Sequence, residues 1–510
     1  MKCLLYVNWK KINTFAASKP HPSGCDKDTP LSINPERNPG LQTGESRRVD
    51  FLIFFIFFLA IIFCRNAVAE EEANFDWQRQ GYFLTRFYQD THEDAASETQ
   101  QDIETRLRLE NKIELKNWDA LIQVNAESAF EAMIHKDEQS ETDHDLLLRE
   151  AYLKLNKPKY NFSLGRQTVT WGKLDNVVVL DRFSPQDYKR FILYDKQERK
   201  LPTLMAKFDY FGENFDIETV FAPFFKHSAV RIFDSDWAAY DQLKRTILEG
   251  PYPAAAKDMA RRIRTEEREG LVDRTLDNMQ CGLRWRARME GTDVAFYYMY
   301  INNSLPGLRE ETANGNTLKR FLSYPNNTNL AQLLALAPSN ADLTLIEEYP
   351  RTQVFGIDAE TTLGTYGLRG EFAAALGQPY LRSDFSYLRK DTLTLGIGLD
   401  HTFASNLYYN IQFIETFILD YEPLFPEEEY GHQITATLTK EFLRGKLILG
   451  LKHAYNISYG DWMLNPKLTY KIKGGLEAAL AGFIFNGKPT TMFGRYSKKD
   501  LFYLQLKYNF

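Results

Sequence analysis

DLFYLQLKYNF, Asp500 to Phe510, closes the chain and decides its fold. Phe502, Leu504, Leu506, Tyr508 and Phe510 alternate with Tyr503, Gln505, Lys507 and Asn509. A period of two sorts side chains onto opposite faces of a strand, so this stretch has one apolar face and one polar face. A soluble edge strand can share that pattern. A strand that ends the chain on an aromatic residue is less ordinary.

The alternation is clearest at residues 103–116. Ile103, Thr105, Leu107, Leu109, Ile113 and Leu115 face one way, and Glu104, Arg106, Arg108, Glu110, Lys112, Glu114 and Lys116 face the other. A helix would scatter those charges round its circumference. The run outlasts the ~5–6 residues of an ordinary soluble strand. A first strand is predicted around Gln80 to Tyr88, and a turn at Asn117-Trp118 leads into another with Ala120, Ile122, Val124 and Ala126 on its apolar face.

Hairpins then repeat with an unequal rhythm. Tight turns are predicted at Lys157-Pro158, Gly212-Glu213, Glu290-Gly291, Gly364 to Gly367, Ala404-Ser405, Arg444-Gly445 and Gly474-Gly475, with the residue types that turns require. Most other connections are long: 89–101, 133–144, 172–199, 224–278, 303–350, 377–390, 421–430 and 486–497. The count is 18 strands, or 16 if two weak segments fail. Both numbers are even, which puts both chain ends on one side. Within the longest loops, Asp236 to Arg274 reads as two short helices broken at Gly250-Pro251 and free of strand alternation, and Thr328 to Ala337 as one more helix. A solvated lid is the preferred reading of these loops over a plug entering a pore.

The chain has 510 residues, a net charge of -6 and 14% aromatic residues, including 28 Tyr and 36 Phe. Its mean hydropathy of -0.41 excludes a helical membrane protein, and the mild charge balance gives no footing for nucleic acid. Residues 1–46 are polar and without periodicity. Arg47 and Arg48 precede the apolar run Phe51 to Cys64, and Ala67-Val68-Ala69 follows. This is the form of a secretory signal peptide, shorter than the ~20 residues of a membrane-spanning helix. The expected organisation is therefore an N-terminal extension at 1–46, a signal peptide at 47–69 and one structural domain at 70–510. Of Cys3, Cys25, Cys64 and Cys281, only Cys281 remains after cleavage, and it has no disulfide partner.

The terminal strand resembles the closing strand of bacterial outer-membrane β-barrels. That resemblance implies an all-β fold: a transmembrane antiparallel outer-membrane β-barrel of 16–18 strands, with long extracellular loops carrying short helices. It implies a place in the cell outer membrane, among its lipid and lipopolysaccharide. It also makes Phe510 and Tyr508 an assembly signal for the barrel-assembly machinery. A second resemblance lies within Leu146 to Tyr210, which contains LREAYLKLNKPKYNFSLGRQTVTWGKLDNVVVLDRFSPQDYKRF. GRQ, then WG, then an Asp- and Pro-bearing loop is similar to a segment of uncharacterised porin-like barrels and of alginate-export-type porins. In such barrels this loop can fold inward, which implies a constriction around Asp175, Asp181 and Asp187. One residue departs from the pattern. If Ala151, Leu153 and Leu155 face lipid, Arg149 does too, unless a bulge or a position beyond the apolar band relieves a cost of ~2–4 kcal/mol.

The inward faces carry the functional signal. Arg284, Arg286 and Arg288 form a row on one strand, Arg106 and Arg108 a pair, and Lys467 and Lys471 another pair. Glu104, Glu110, Glu150, Asp358, Glu360 and Glu371 stand against them. Mutual solvation in a wet lumen accounts for most of these charges. Three arginines on one strand are denser than solvation requires, and rows of arginine in a pore attract anions. His92, His135, His144, His227, His401, His432 and His453 show no metal-ligand spacing, and no nucleophile or phosphate-binding motif occurs. No enzyme, metal or cofactor is expected. A plugged receptor would need over a hundred residues before its first strong strand. The predicted function is a porin-like channel for small hydrophilic solutes, with anions the ones the arginine rows favour. The alternative is a structural sleeve or secretion pore housing a partner protein. A homo-oligomer is left open.

Overall fold

The computed structural model describes residues 75–91, 101–116, 123–137, 143–235, 237–267, 276–310, 321, 328–329, 331–332, 343–382, 387–423 and 425–510. The expected N-terminal extension at 1–46, the expected signal peptide at 47–69 and the turn predicted at Asn117-Trp118 lie outside the described residues. The first strands are β1 (Phe75–Asp90), β2 (Gln101–Lys116), β3 (Gln123–Asp137), β4 (Asp143–Asn156), β5 (Tyr160–Gln167), β6 (Thr203–Phe211) and β7 (Phe215–Ala222). Then come β8 (Ile263–Glu267), β9 (Gln280–Met289), β10 (Thr292–Asn302), β11 (Gly307–Glu310), β12 (Leu343–Glu348), β13 (Arg351–Leu363) and β14 (Tyr366–Leu381). The rest are β15 (Tyr387–Thr402), β16 (Leu407–Ile418), β17 (Tyr430–Phe442), β18 (Leu447–Asn456), β19 (Asp461–Lys473), β20 (Leu476–Asn486) and β21 (Leu501–Asn509).

Eighteen of these strands form one sheet, and β8, β11 and β12 form a separate three-stranded one. In the large sheet each strand pairs antiparallel with the next, from β1–β2 round to β20–β21. β21 then pairs with β1, from Tyr82↔Asn509 to Asp90↔Leu501. That last ladder closes the ring and leaves an 18-stranded barrel, the larger of the two predicted counts. The terminal residue completes the seam: the Gly81 N–H donates to the Phe510 carbonyl at 2.9 Å, and the Phe510 N–H to the Gly81 carbonyl at 3.0 Å.

Burial runs opposite to that of a soluble protein. Leu504 and Leu506 are 53% and 56% exposed, whereas Glu104 and Asp358 are 0% and 1% exposed. Every second residue of a strand points outward, and here the outward set is apolar. A contiguous apolar exterior round a polar interior suits hydrocarbon outside and water within. No described helix is long and apolar enough to cross a membrane.

Tight turns and long connections alternate as predicted, with local differences. The β18–β19 connection, on the long-loop end, is only residues 457–460, with Gly460 at φ +67. β14 and β15 extend past the predicted 377–390 loop by means of a bulge between Ala375 and Gln378. The two predicted helices exist as α2 (Asp241–Glu249) and α3 (Ala254–Arg262), separated at Gly250 (a four-residue helix, α1 at Lys196–Arg199, precedes them). The segment is not free of strand, contrary to expectation: Ile263–Glu267 forms β8, parallel to β12. Parallel pairing joins loops far apart in sequence, so no local alternation announces it. Ile232, Phe233, Ile247, Met259, Ile263, Leu308, Phe321 and Leu345 fill a core of their own beneath these elements. Of the helix predicted at Thr328 to Ala337, residues 328–329 and 331–332 are described and helical.

Candidate functional site: a lumen crossed by its own loop

The connection between β5 and β6, residues 168–202, folds into the barrel. Its first half seats apolar side chains where the wall has no side chain of its own. A Cβ on Gly282 of β9 would meet Trp171 at 2.5 Å, one on Gly356 of β13 would meet Leu180 at 2.2 Å, and one on Gly396 of β15 would meet Leu174 at 2.3 Å. Trp171, Leu174, Val179 and Leu180 are all at most 4% exposed. Gly172 adopts φ +84, and a Cβ there would lie 2.6 Å from Glu371. Glycine is thus required twice over, for the turn and for the approach. Glu371, on β14, accepts hydrogen bonds from the backbone N–H groups of Lys173, Leu174 (2.6 Å) and Leu180 (3.1 Å).

The second half of the loop reaches the opposite wall. Phe191 packs on Phe485 of β20, with ring centroids 6.1 Å apart, and on Tyr496 at 4.4 Å. The seats of the first half are on the eighth, tenth and twelfth strands of the ring (β9, β13 and β15) and β20 is the seventeenth, so the footholds lie between 17 − 12 = 5 and 17 − 8 = 9 strands apart among 18. The loop therefore spans the bore. Between the footholds Glu104 of β2, 0% exposed, accepts from Arg106 (2.8 Å), Tyr88 (3.1 Å), Tyr194 (3.0 Å) and Arg190 (3.2 Å).

Arg149 resolves as a bulge. Ala129 pairs with Glu150 and Phe130 with Leu148, so Arg149 is an extra residue in β4. It turns inward, is 6% exposed and donates to the carbonyls of Glu198 (3.0 Å) and Lys200 (2.6 Å) at the end of the loop. The departure from alternation is the means by which the wall grips the loop.

The other site residues fall out as follows. Arg106 faces inward as predicted but is buried under the loop, so it does not line open water; Arg108 pairs with Glu110 at 2.6 Å. Arg284, Arg286 and Arg288 all point inward, yet none stands free. Arg284 is bonded to Glu218, Arg286 to Asp216 (3.0 Å) and Arg288 to Asp216 (2.6 Å), all across the β7–β9 ladder. Lys207 adds a contact of 3.0 Å to Glu218. Antiparallel register sets Asp216 opposite Arg286 and Glu218 opposite Arg284, so each guanidinium of the row has a carboxylate partner on the next strand. Lys467 lies in the field of Asp195 and Glu198, and Lys471 stands across the ladder from Glu477.

The loop aspartates are likewise partnered. Asp175 receives Arg369 (2.8 Å) and Asn410 (3.0 Å), and Asp181 receives Lys200 (2.7 Å) and Lys196 (3.4 Å). Asp187 accepts from the Lys189 N–H at 2.9 Å and joins a bridge to Ala229. Phe510 sits on the outer face with its ring 3.0 Å from where a Gly81 side chain would begin, 6.1 Å from the Tyr508 ring.

Above the loop, towards the long connections, a cavity of about 1460 Å³ opens. Its wall includes Thr352, Thr392, Thr394, Thr416, Gln433 and Asn456, its floor Arg182, and its rim Phe425 and Arg495. Among the described residues no group of three or more His, Cys, Asp or Glu could hold a metal ion. Sequence reasoning did not find this vestibule. The available signal was glycine at inward-facing positions within strands, where something else must approach.

Residues 65–391, more than half of the chain, match the family described as protein of unknown function (DUF1302), and the chain belongs to that family. No curated protein matches it. Solved structures similar to it include OccAB4 of Acinetobacter baumannii, at 9% identity and a TM-score of 0.47, covering 85% of this chain and 98% of that one. OmpF of Salmonella typhi in complex with daunomycin matches at 10% identity and a TM-score of 0.42, covering 85% and 97%. A loop-deletion mutant of OmpT, an outer membrane protein of Vibrio cholerae, matches at 9% identity and 0.40, covering 86% and 100%.

Proposed function

We propose that this member of the DUF1302 family is a passive outer-membrane channel for small hydrophilic solutes, narrowed by its own loop at 168–202. The observation that carries this reading is a closed ring with a polar interior, crossed by a loop anchored on opposite walls. A sleeve for a protein partner needs an unobstructed bore, and an anchored crossing removes that room. The alternation of turns and loops supports periplasmic tight turns and extracellular long loops. The paired arginines on β9 give no support to a strong anion preference at that wall.

Planar-bilayer recording of the purified barrel in KCl tests the channel, with discrete conductance steps expected. Silent bilayers from protein that shows heat-modifiable gel mobility would overturn it. Orientation is read by labelling cysteines placed at Ala255 and Ser405 in a Cys281→Ala background. Ala255 should react from outside the cell and Ser405 only from the periplasm; reaction of both from one side would sink the topology.

A further inference from the structure

Resting on the channel reading, we infer that the vestibule holds a subsite for small organic carboxylates with a planar body, read by the Arg182 guanidinium. Arg182 uses two donors, Nε to the Val179 carbonyl (2.7 Å) and Nη1 to Gln378 Oε1 (3.3 Å). A guanidinium has five N–H groups, which leaves three without a hydrogen-bond acceptor among the described residues. Among those residues no carboxylate lies within 4.0 Å of it. The acid closest in influence, Glu371, is already engaged by three backbone N–H groups.

The other cations of the cavity are engaged or peripheral. Arg382 is bonded to Glu422, and Arg495 donates to the Ala239 carbonyl at 2.6 Å while covering the Tyr240 ring. His432 lies 3.6 Å from Glu415, and Lys488 sits exposed in the rim loop. The acids are Asp181, held by Lys200, and Glu427 and Glu428 on the opposite rim. Between floor and rim the wall offers hydroxyls and amides and no charge. Arg182 is therefore the cation that an entering anion can pair with at least competition, and a guanidinium fork matches a carboxylate in two parallel bonds.

The planar requirement comes from the neighbouring aromatics. Tyr380 lines the same cavity as Arg182, and its hydroxyl is 2.9 Å from Thr392 Oγ1. Its ring lies 5.6 Å from that of Phe425, which in turn lies 6.0 Å from Tyr421. A flat apolar body set against this cluster, with its carboxylate on Arg182, uses both features together.

The test measures benzoate, cyclohexanecarboxylate and benzamide as blockers of KCl current through wild type, Arg182→Gln and Arg182→Lys. Benzoate added from the long-loop side should block wild type, with cyclohexanecarboxylate weaker and benzamide inactive. In Arg182→Gln the block should weaken roughly ten-fold or more, the loss expected for charge-assisted hydrogen bonds. Arg182→Lys should fall between, having charge without the fork. Heat-modifiable mobility verifies that each variant is folded. Equal block in wild type and Arg182→Gln, or equal block by benzamide, overturns the subsite. Calorimetric titration of benzoate into the folded barrel in detergent reads the same site without current. Silent bilayers with Arg182-dependent binding would overturn the channel and leave the subsite; conduction without such binding would do the reverse.

Discussion

The β9 wall and the vestibule floor both present arginine to the lumen, and they spend it differently. On β9 three guanidiniums rise in a row, and each meets a carboxylate of β7 within one strand spacing. On the loop a single guanidinium, Arg182, rests on a carbonyl and an amide oxygen. Density of like charge along one strand says little about the field a solute meets. What counts is the register that brings the next strand alongside, because cross-strand pairs sit close enough to neutralise one another. Arg182 escapes that pairing because it sits on a loop, outside any ladder.

Unseating the loop breaks the comparison most completely, since it removes Arg182 from the vestibule and leaves the arginine–carboxylate pairs between β9 and β7 in place. Glu371→Ala takes away the acceptor for three N–H groups, and each buried donor left unmade costs about 1–3 kcal/mol. Arg149→Met removes the grip at the other end of the loop, two bonds from a charged donor worth about 1.5–3 kcal/mol each. The double variant should show a larger and noisier single-channel conductance than wild type, together with a lower melting temperature. Conductance unchanged in a folded double variant would mean that the apolar seats at Gly282, Gly356 and Gly396 hold the loop alone.

A smaller effect is expected from the β9 row, and it sharpens the contrast. Arg284→Gln, Arg286→Gln and Arg288→Gln together strip the partners from Asp216 and much of the pairing from Glu218. The reversal potential in a salt gradient should then move towards cations. Adding Asp216→Asn and Glu218→Gln should bring it most of the way back, because the five changes remove a nearly balanced set. If the five-fold variant stays as cation-selective as the triple, the arginines were acting on the solute directly and the pairing is incidental.

The contrast also marks what the sequence could convey. The closing strand, the sorted charges of β2, the tight turns and the break between α2 and α3 are local patterns, each legible within a short run of consecutive residues. Arg149 was legible as an anomaly whose remedy, a bulge, is local too. Asp216 and Arg286 are 70 residues apart, and nothing in either strand says that they become neighbours. The loop's two footholds and the β8–β12 pairing have the same character. Inward glycines such as Gly282, Gly356 and Gly396 recorded the loop's docking in the chain all along. They become informative only once the inner face of each strand is known, which the alternation of Leu283, Phe355 and Leu395 does supply.

The smallest expected effect lies outside the membrane-spanning strands, in the loop layer, where a charged pair is again set by a fold and not by a row. His227 Nε2 is 2.8 Å from Glu267 Oε1, its Nδ1 is 2.8 Å from the Ser228 carbonyl, and its ring stacks on Tyr349 with centroids 5.0 Å apart. Both ring nitrogens face groups that only accept, so the doubly protonated imidazolium fits the site. Burial opposes that charge, but the bonds to Glu267 and Ser228 outweigh it and the His227 pKa is raised. The bond from His227 holds the Glu267 carboxyl below its ordinary value, against burial. For histidine, a raised folded value means a contribution fully present below about pH 6.5 and lost as pH rises through the raised value. For the glutamate, a depressed folded value means a contribution present above about pH 4.3 and lost as pH falls further. The pair should therefore tighten β8 between those limits and loosen it in alkali, by about 0.2–1 kcal/mol for a partly exposed pair. Amide exchange at residues 263–267, corrected for intrinsic rate, should be slower near about pH 6 than near about pH 8.5. In His227→Gln that difference should vanish while the protection of β13 stays as it was. Equal pH dependence in the variant would place the titrating group elsewhere in the loop layer.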